Sequence, residues 1–261
     1  MSPVAVVTGA ARGIGAAIVE RLVADGWAVV ALDACEDDPV VSYPLATRAE
    51  LEALAERLGP SVAPVVGDVR SATDLVEAVA LAERRFGPLD AAVASAGVLV
   101  GGPPVWEIGE EEWAAAFEVN VSGVRRLVSA AVPALLRRPV PRQGRVVVVS
   151  SAAAVLGLRR LGAYVASKHA VVGLVRALAA DLAGTGVTAN AVCPGSTRTA
   201  MLEASAAIYG LGSAEDFGAQ ALVERLLEPD EPAALVAWLC GPESSGVTGA
   251  VLPVDGGMTV T

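Results

Sequence analysis

Five short stretches of the chain are apolar at nearly every position: AVV ahead of residue 8, WAVVAL at 27–32, VAPVV at 62–66, DAAVAS at 90–95 and RVVVVS at 145–150. A strand with one wet face alternates apolar and polar residues, so runs without alternation predict strands covered on both faces. Between them the period changes. Ile14, Ile18 and Leu22 recur at helical spacing, and 73–86, 111–136 and 163–182 read as further long helices. Strands alternating with helices predict βαβ crossovers, hence an α/β doubly wound parallel sheet with helices on both faces.

No linker, repeat or low-complexity segment interrupts this pattern, which predicts one domain over residues 1–261. Two segments are longer than a connection needs. Residues 37–47 (DDPVVSYPLAT) read as an inserted loop, and 196–220, after CPG, as a substrate-binding loop. With 54% hydrophobic residues the chain can bury a large core. The net charge of -10 disfavours nucleic acid or an anionic membrane as a partner. The uncharged stretch from Ala91 to Trp106 is shorter than a membrane span and broken by Gly and Pro, and no basic residue precedes Arg12. No membrane span and no signal peptide are therefore expected. Cys35, Cys193 and Cys240 lack paired spacing, which fits a reduced, cytoplasmic protein, and with the single His169 they offer no metal-ligand set.

After the first apolar run comes TGAARGIG, residues 8–15, with glycines at 9, 13 and 15 rather than at the common GxGxxG spacing. Strand, glycine-rich turn and helix form the context in which glycines admit a pyrophosphate and the helix N-terminus favours its charge. A tight turn that needs glycine for steric reasons alone is the competing reading. The second run ends in Asp33, eighteen residues after Gly15, where a carboxylate accepts hydrogen bonds from ribose hydroxyls and repels a 2′-phosphate. Arg12 could pair with such a phosphate, but Glu36, Asp37 and Asp38 follow Asp33. This predicts a Rossmann-like site for NAD rather than NADP.

Tyr164 and Lys168 stand four apart in YVASK and share a helix face. An ammonium beside a phenol favours phenolate, so the pair could move a proton; a surface contact is the competing reading. His169, one position on, points elsewhere and reads as a packing or subunit-contact residue.

Taken in order, TGAARGIG, Asp33, Asp68-Val69, ASAG at 94–97, NVSG at 120–123, Ser150-Ser151, YVASK, CPGSTRT and VTGAVLPVDGG resemble the classical short-chain dehydrogenase/reductase family over nearly the whole chain. The resemblance implies catalytic roles. Tyr164 is the general acid/base, Lys168 lowers its pKa and binds the nicotinamide ribose, Ser151 holds the substrate oxygen, and Asn120 holds a water in a proton relay. Ser150 reads as a structural neighbour. The resemblance further implies cofactor contacts at Gly9, Arg12, Gly13, Ile14, Gly15, Asp33, Asp68, Val69, Ala96, Gly97, Tyr164, Lys168, Pro194, Gly195, Thr197 and Thr199. Thr199 would hold the carboxamide, and Asp68 and Val69 would flank the adenine.

Where the family has NNAG this chain has Ala94 and Ser95, which implies altered local hydrogen bonding rather than lost activity. Met201, Leu202, Ile208, Tyr209, Leu211 and Phe217 are candidates for an apolar pocket wall, with Ser151, Tyr164, Met201 and Tyr209 expected at the substrate. A small, largely apolar secondary alcohol or ketone is the expected substrate. The YPLAT insert resembles the mycofactocin-associated branch, which implies tightly held NAD, an external redox carrier, and Tyr43 and Pro44 covering the adenosine end. Family habit implies a homotetramer through the two long central helices. The competing functions are a 3-oxoacyl carrier-protein reductase, a non-catalytic NAD-binding regulator, and a serine hydrolase, for which GxSxG is missing.

Overall fold

Each of the five apolar runs is a strand of one parallel sheet in the computed structural model, which describes residues 2–260. They are β1 (Val4–Thr8), β2 (Ala28–Asp33), β3 (Val62–Val66), β4 (Ala91–Ala94) and β5 (Arg145–Val149). Two more strands, β6 (Thr188–Pro194) and β7 (Val251–Val254), extend the sheet to the order β3-β2-β1-β4-β5-β6-β7. Periodicity had not singled them out, because Thr188 and Asn190 interrupt the apolar run of β6 and β7 is short and contains Pro253. Every pairing is parallel, with Val6 opposite both Val30 and Ala92. The strand order reverses between β1 and β4, so the loops after these strands diverge and leave a crevice at their C-terminal ends.

The helices are α1 (Gly13–Ala24), α2 (Arg48–Leu58), α3 (Ala72–Arg85), α4 (Glu110–Phe117), α5 (Gly123–Leu136), α6 (Gly162–Asp181), α7 (Ala200–Tyr209) and α8 (Asp230–Cys240). One face of the sheet is sealed by Ile18 and Leu22 of α1, Leu51 and Leu54 of α2, and Val236 and Leu239 of α8. The other is sealed by Leu75 and Val79 of α3, Leu127 and Leu135 of α5, and Val171 and Val175 of α6. Local signals agree with this packing: Ser71 caps α3 by accepting from the Asp74 amide, and a Thr47–Glu50 capping box starts α2.

The helix expected over 111–136 is two helices joined by a π turn, Glu118–Ser122, in which the Gly123 amide reaches back to the Glu118 carbonyl. By length and composition this run could cross a bilayer. It carries Glu118, Arg125 and Arg126, however, and α5 buries Leu127, Ala131 and Leu135 in the core. Residues 37–47 form no helix or strand, whereas 196–220 contain α7 and a 3-10 turn at Ala214–Gln220. The substrate segment is therefore more helical than a loop.

Candidate active site

The crevice is a cavity of about 1110 Å³ that runs from the glycine turn to α7. At its first end Gly9 and Gly13 adopt left-handed conformations. A Cβ on Gly9 would lie 2.5 Å from the Ala96 Cα, and one on Gly15 would lie 1.9 Å from the Gly9 carbonyl oxygen. α1 starts without a side-chain cap and without an acid in its first turn. Its N-terminal field is thus left for an anion in the cavity.

Asp33 lies on the cavity wall and also braces the turn, its carboxylate accepting from the Ala11 amide at 3.0 Å. A carboxylate has about four acceptor positions, so this bond leaves capacity for a ribose. Arg12 donates to the Pro44 carbonyl at 2.6 Å, and Arg70 is held by Asp38 at 2.7 Å and Asp68 at 2.8 Å. Arg70 is thus committed to two carboxylates, and Arg12 is drawn towards the inserted loop. Uncapped helix, braced turn and acidic rim fit a dinucleotide without a 2′-phosphate.

At the other end, β5 delivers Ser150 and Ser151 to the mouth of the sheet and α6 supplies Tyr164 and Lys168. Ser150 donates to the Lys168 carbonyl at 3.2 Å, which ties strand to helix as expected of a structural residue. Ser151 accepts from the Ala153 amide at 3.1 Å and hydrogen-bonds the Tyr164 phenol. The Lys168 ammonium donates to the Val149 carbonyl at 3.2 Å and lies 5.6 Å from the Tyr164 ring centre.

Burial dominates both groups. It pushes the Tyr164 phenol up to about 12, with the Ser151 bond opposing, and the Lys168 ammonium down to about 8. In the protein without dinucleotide, burial sets the direction of the tyrosine's shift, opposite to the direction expected from Lys168. The lysine's pKa of about 8, against 10.5 when exposed, means that the fold carries the cost of a buried ammonium below pH 8 and sheds it as pH rises towards 10.5. Lys168→Met should therefore stabilise the dinucleotide-free protein at pH 7 by an amount on the order of 2 kcal/mol, after loss of the Val149 bond, and flatten the rise in stability above pH 8. Thermal melts across that range check it; a lower melting temperature at pH 7 refutes it.

Asn120 sits inside the π turn and is 1% exposed. Its amide accepts from the Val98 N–H at 2.9 Å and donates to the Val98 carbonyl and to Ser167 Oγ, both at 3.0 Å. Ser167 in turn donates to the Tyr164 carbonyl at 2.7 Å. Both amide hydrogens are committed, so the side chain joins the loop after β4 to the Tyr164 helix rather than reaching a relay water with its N–H groups. A Cβ on Gly97 would meet Asn120 Oδ1 at 3.2 Å and the Lys168 nitrogen at 3.4 Å. In place of the missing asparagines at Ala94 and Ser95, the Thr8 hydroxyl accepts from the Ser95 and Ala96 amides, both at 3.3 Å.

Pro194 ends β6, Gly195, Thr197 and Thr199 follow it along the cavity, and a Cβ on Gly13 would lie 3.3 Å from the Thr199 methyl. Thr199 also caps α7 through the Leu202 amide. Asp68, Val69, Ala96 and Ile14 line the same wall. Met201, Leu202, Tyr209, Leu211 and Phe217 line the apolar end, but Ile208 does not; it packs towards Gly101 and the Leu161 cluster. His169 is exposed, and its ring bonds the Val165 carbonyl one turn back.

The chain has three tyrosines and all line this cavity. Tyr43, expected over the adenosine, instead accepts from the Leu99 amide at 3.1 Å and packs with Leu99, Leu161 and Tyr164. The inserted loop thus reaches the catalytic end, fastened at Arg70, Arg12 and Leu99. Leu99, Leu158, Leu161, Ser167 and Thr8 belong to the site and were not singled out from sequence. Ser167, inside YVASK, and Thr8, the first residue of TGAARGIG, lay in motifs that could have flagged them.

A crevice at the strand-order reversal, with an uncapped helix at one end and a Ser–Tyr–Lys group at the other, defines an oxidoreductase fold of the dinucleotide-binding class. The chain belongs to the short-chain dehydrogenase/reductase family. The family described as enoyl-(acyl carrier protein) reductase matches residues 9–259. An uncharacterized NAD-dependent oxidoreductase of Mycobacterium tuberculosis is 38% identical over 265 residues, covering 97% of this chain and 94% of the relative. A diacetyl reductase of Staphylococcus epidermidis is 34% identical over 269 residues, 99% of each chain. Among solved structures, carveol dehydrogenase from Mycobacterium avium in complex with NAD superposes with a TM-score of 0.92 at 29% identity, covering 99% and 98% of the two chains. A 3-ketoacyl-(acyl-carrier-protein) reductase from Brucella melitensis, complexed with NADH, gives 0.86 at 28% identity and 98% coverage of each.

Proposed function

We propose that this protein is an NAD-dependent dehydrogenase that interconverts a small, largely apolar secondary alcohol and its ketone. The observation that carries this is the single cavity joining Asp33 and the uncapped α1 to Ser151, Tyr164 and Lys168, with an apolar wall from α7 beyond them. NAD, when bound, would supply the hydride acceptor or donor. Gly9 to Gly15 would hold its pyrophosphate, Asp33 its adenosine ribose, Asp68 and Val69 its adenine, and Gly97, Lys168, Pro194, Gly195, Thr197 and Thr199 its nicotinamide half. Ser151 would clamp the substrate oxygen and Tyr164 exchange a proton with it, while Asn120 keeps the Tyr164 helix in register. Met201 and Tyr209 would contact the apolar body. The carveol dehydrogenase of Mycobacterium avium, a terpene-alcohol enzyme by name, supports this substrate class.

The three fastenings of the inserted loop support a second element of the reading, a cofactor that does not exchange freely and passes its electrons to a redox carrier, as in the mycofactocin-associated branch. Mass spectrometry of the purified, extensively dialysed protein should find bound NAD. An alcohol panel should then show turnover with an artificial electron acceptor but not with free NAD; rapid loss of NAD on dialysis overturns this element. Val105, Trp106 and Trp113, exposed on and ahead of α4, support assembly into a homotetramer, which light scattering checks for size.

A 3-oxoacyl carrier-protein reductase remains the second reading. The NADH complex of the Brucella enzyme supports it, because a reductase of that name holds a dinucleotide without the 2′-phosphate that Asp33 would repel. Activity confined to acyl thioesters would select it over the alcohol reading.

A further inference from the structure

Five cationic side chains line the cavity, and four are engaged within the protein. Arg12 donates to the Pro44 carbonyl, Lys168 to the Val149 carbonyl, Arg70 to Asp38 and Asp68, and Arg198 to Glu215 and Glu228. Arg159, at the mouth beside α7, lies over the Tyr209 ring at 5.8 Å and has no carboxylate or carbonyl acceptor among the described residues. Its backbone is pinned from two sides. The Tyr209 hydroxyl donates to the Arg159 carbonyl and the Gly102 amide to the Arg160 carbonyl, each at 2.8 Å.

Arg160 is left-handed, with φ of 62°. A bulky residue there is strained, and such strain persists only where the surroundings impose it, as they do here. The segment is therefore fixed while the Arg159 guanidinium stays free. Between it and Tyr164 the wall is apolar, formed by Leu99, Leu158, Leu161 and Met201.

We propose that Arg159 is a specificity residue that binds a carboxylate at the far end of the substrate, so that the alcohol or ketone carries an apolar body and an anionic tail. This rests on the secondary-alcohol reading of the site. A guanidinium presents paired donors that match a carboxylate, and in a chain of net charge -10 a free cation at the mouth is what an anion would need in order to approach. Tyr209, beneath the guanidinium, holds it by its ring face and leaves the edge donors available.

The test is a homologous series of straight-chain methyl-ketone carboxylic acids against their methyl esters, with reduction followed in protein loaded with NADH as the hydride source and binding of the acids measured by calorimetry. At the best-fitting length the acid should exceed its ester by about tenfold in kcat/KM, chiefly through KM, with the advantage shrinking as salt is added. Arg159→Ala should erase the preference, Arg159→Lys keep part of it and Arg159→Glu reverse it, while Arg176→Ala on the exposed side of α6 leaves it intact. Equal use of acid and ester at every length, or a preference that survives Arg159→Ala, overturns the proposal. If no ketone in the series is reduced but the acids still bind in an Arg159-dependent way, the anion site stands and the alcohol reading falls.

Discussion

Tyr164→Phe is expected to lower kcat by about two to four orders of magnitude, the range attributed to a positioned acid or base, while leaving the dinucleotide content of the purified protein unchanged. The phenol is 7% exposed and its ring fills a cluster with Leu99, Ala153 and Leu161, which phenylalanine fills equally well. The substitution removes one oxygen, the partner of Ser151 and the atom proposed to exchange the proton. The pH profile of the unaltered protein should match. With the phenol held up towards 12, its basic form grows only as pH rises, so alcohol oxidation should speed up through the alkaline range. Ketone reduction, which needs the protonated form, should not. A Tyr164→Phe protein with the kcat of its parent would overturn the acid/base role proposed for Tyr164.

Gly15→Ala is the second large effect. A methyl at this position would sit 1.9 Å from the carbonyl oxygen of Gly9, and the obstacle is backbone, which cannot swing aside as a side chain does. Relief requires opening the turn, at a cost of about 3 kcal/mol, and if the cost falls on the cofactor site binding weakens about a hundredfold. Because Gly9 in turn abuts Ala96, the opening would also loosen the contact between the turn and the loop after β4. Calorimetric titration of dinucleotide into the variant measures the loss; affinity unchanged from the parent would mean that the turn does not cradle the pyrophosphate.

Much of this was legible because it is written in local patterns. The five apolar runs became strands, and Gly9, Asp33, Ser151, Tyr164 and Lys168 came together in one cavity from motifs spread over most of the chain. What the sequence concealed depends on distant neighbours. Whether Tyr43 stands over adenosine or beside Tyr164 is decided by the Leu99 amide, fifty-six residues away. Ile208 is apolar like Met201 and lies on the same face of α7, yet about two turns further along the helix it packs towards Gly101 and does not line the cavity. The state of the Tyr164–Lys168 pair follows from burial, which a four-residue spacing does not encode. Asn120 was recognised by its motif, but its attachment to Val98 and Ser167 follows from the π turn that carries it.

That turn acts as a phase shifter on a rod. One surplus residue between Glu118 and Ser122 lets α4 and α5 keep separate rotational settings, so α5 holds its stripe of Leu127, Ala131 and Leu135 on the core while Asn120 meets Val98 and Ser167. Removing a residue there would rotate everything beyond it by about 100° relative to α4, and no single rotation would satisfy both sides. The segment is therefore where insertions and deletions should be least tolerated, even though the helices on either side, read alone, would look like ordinary spacer.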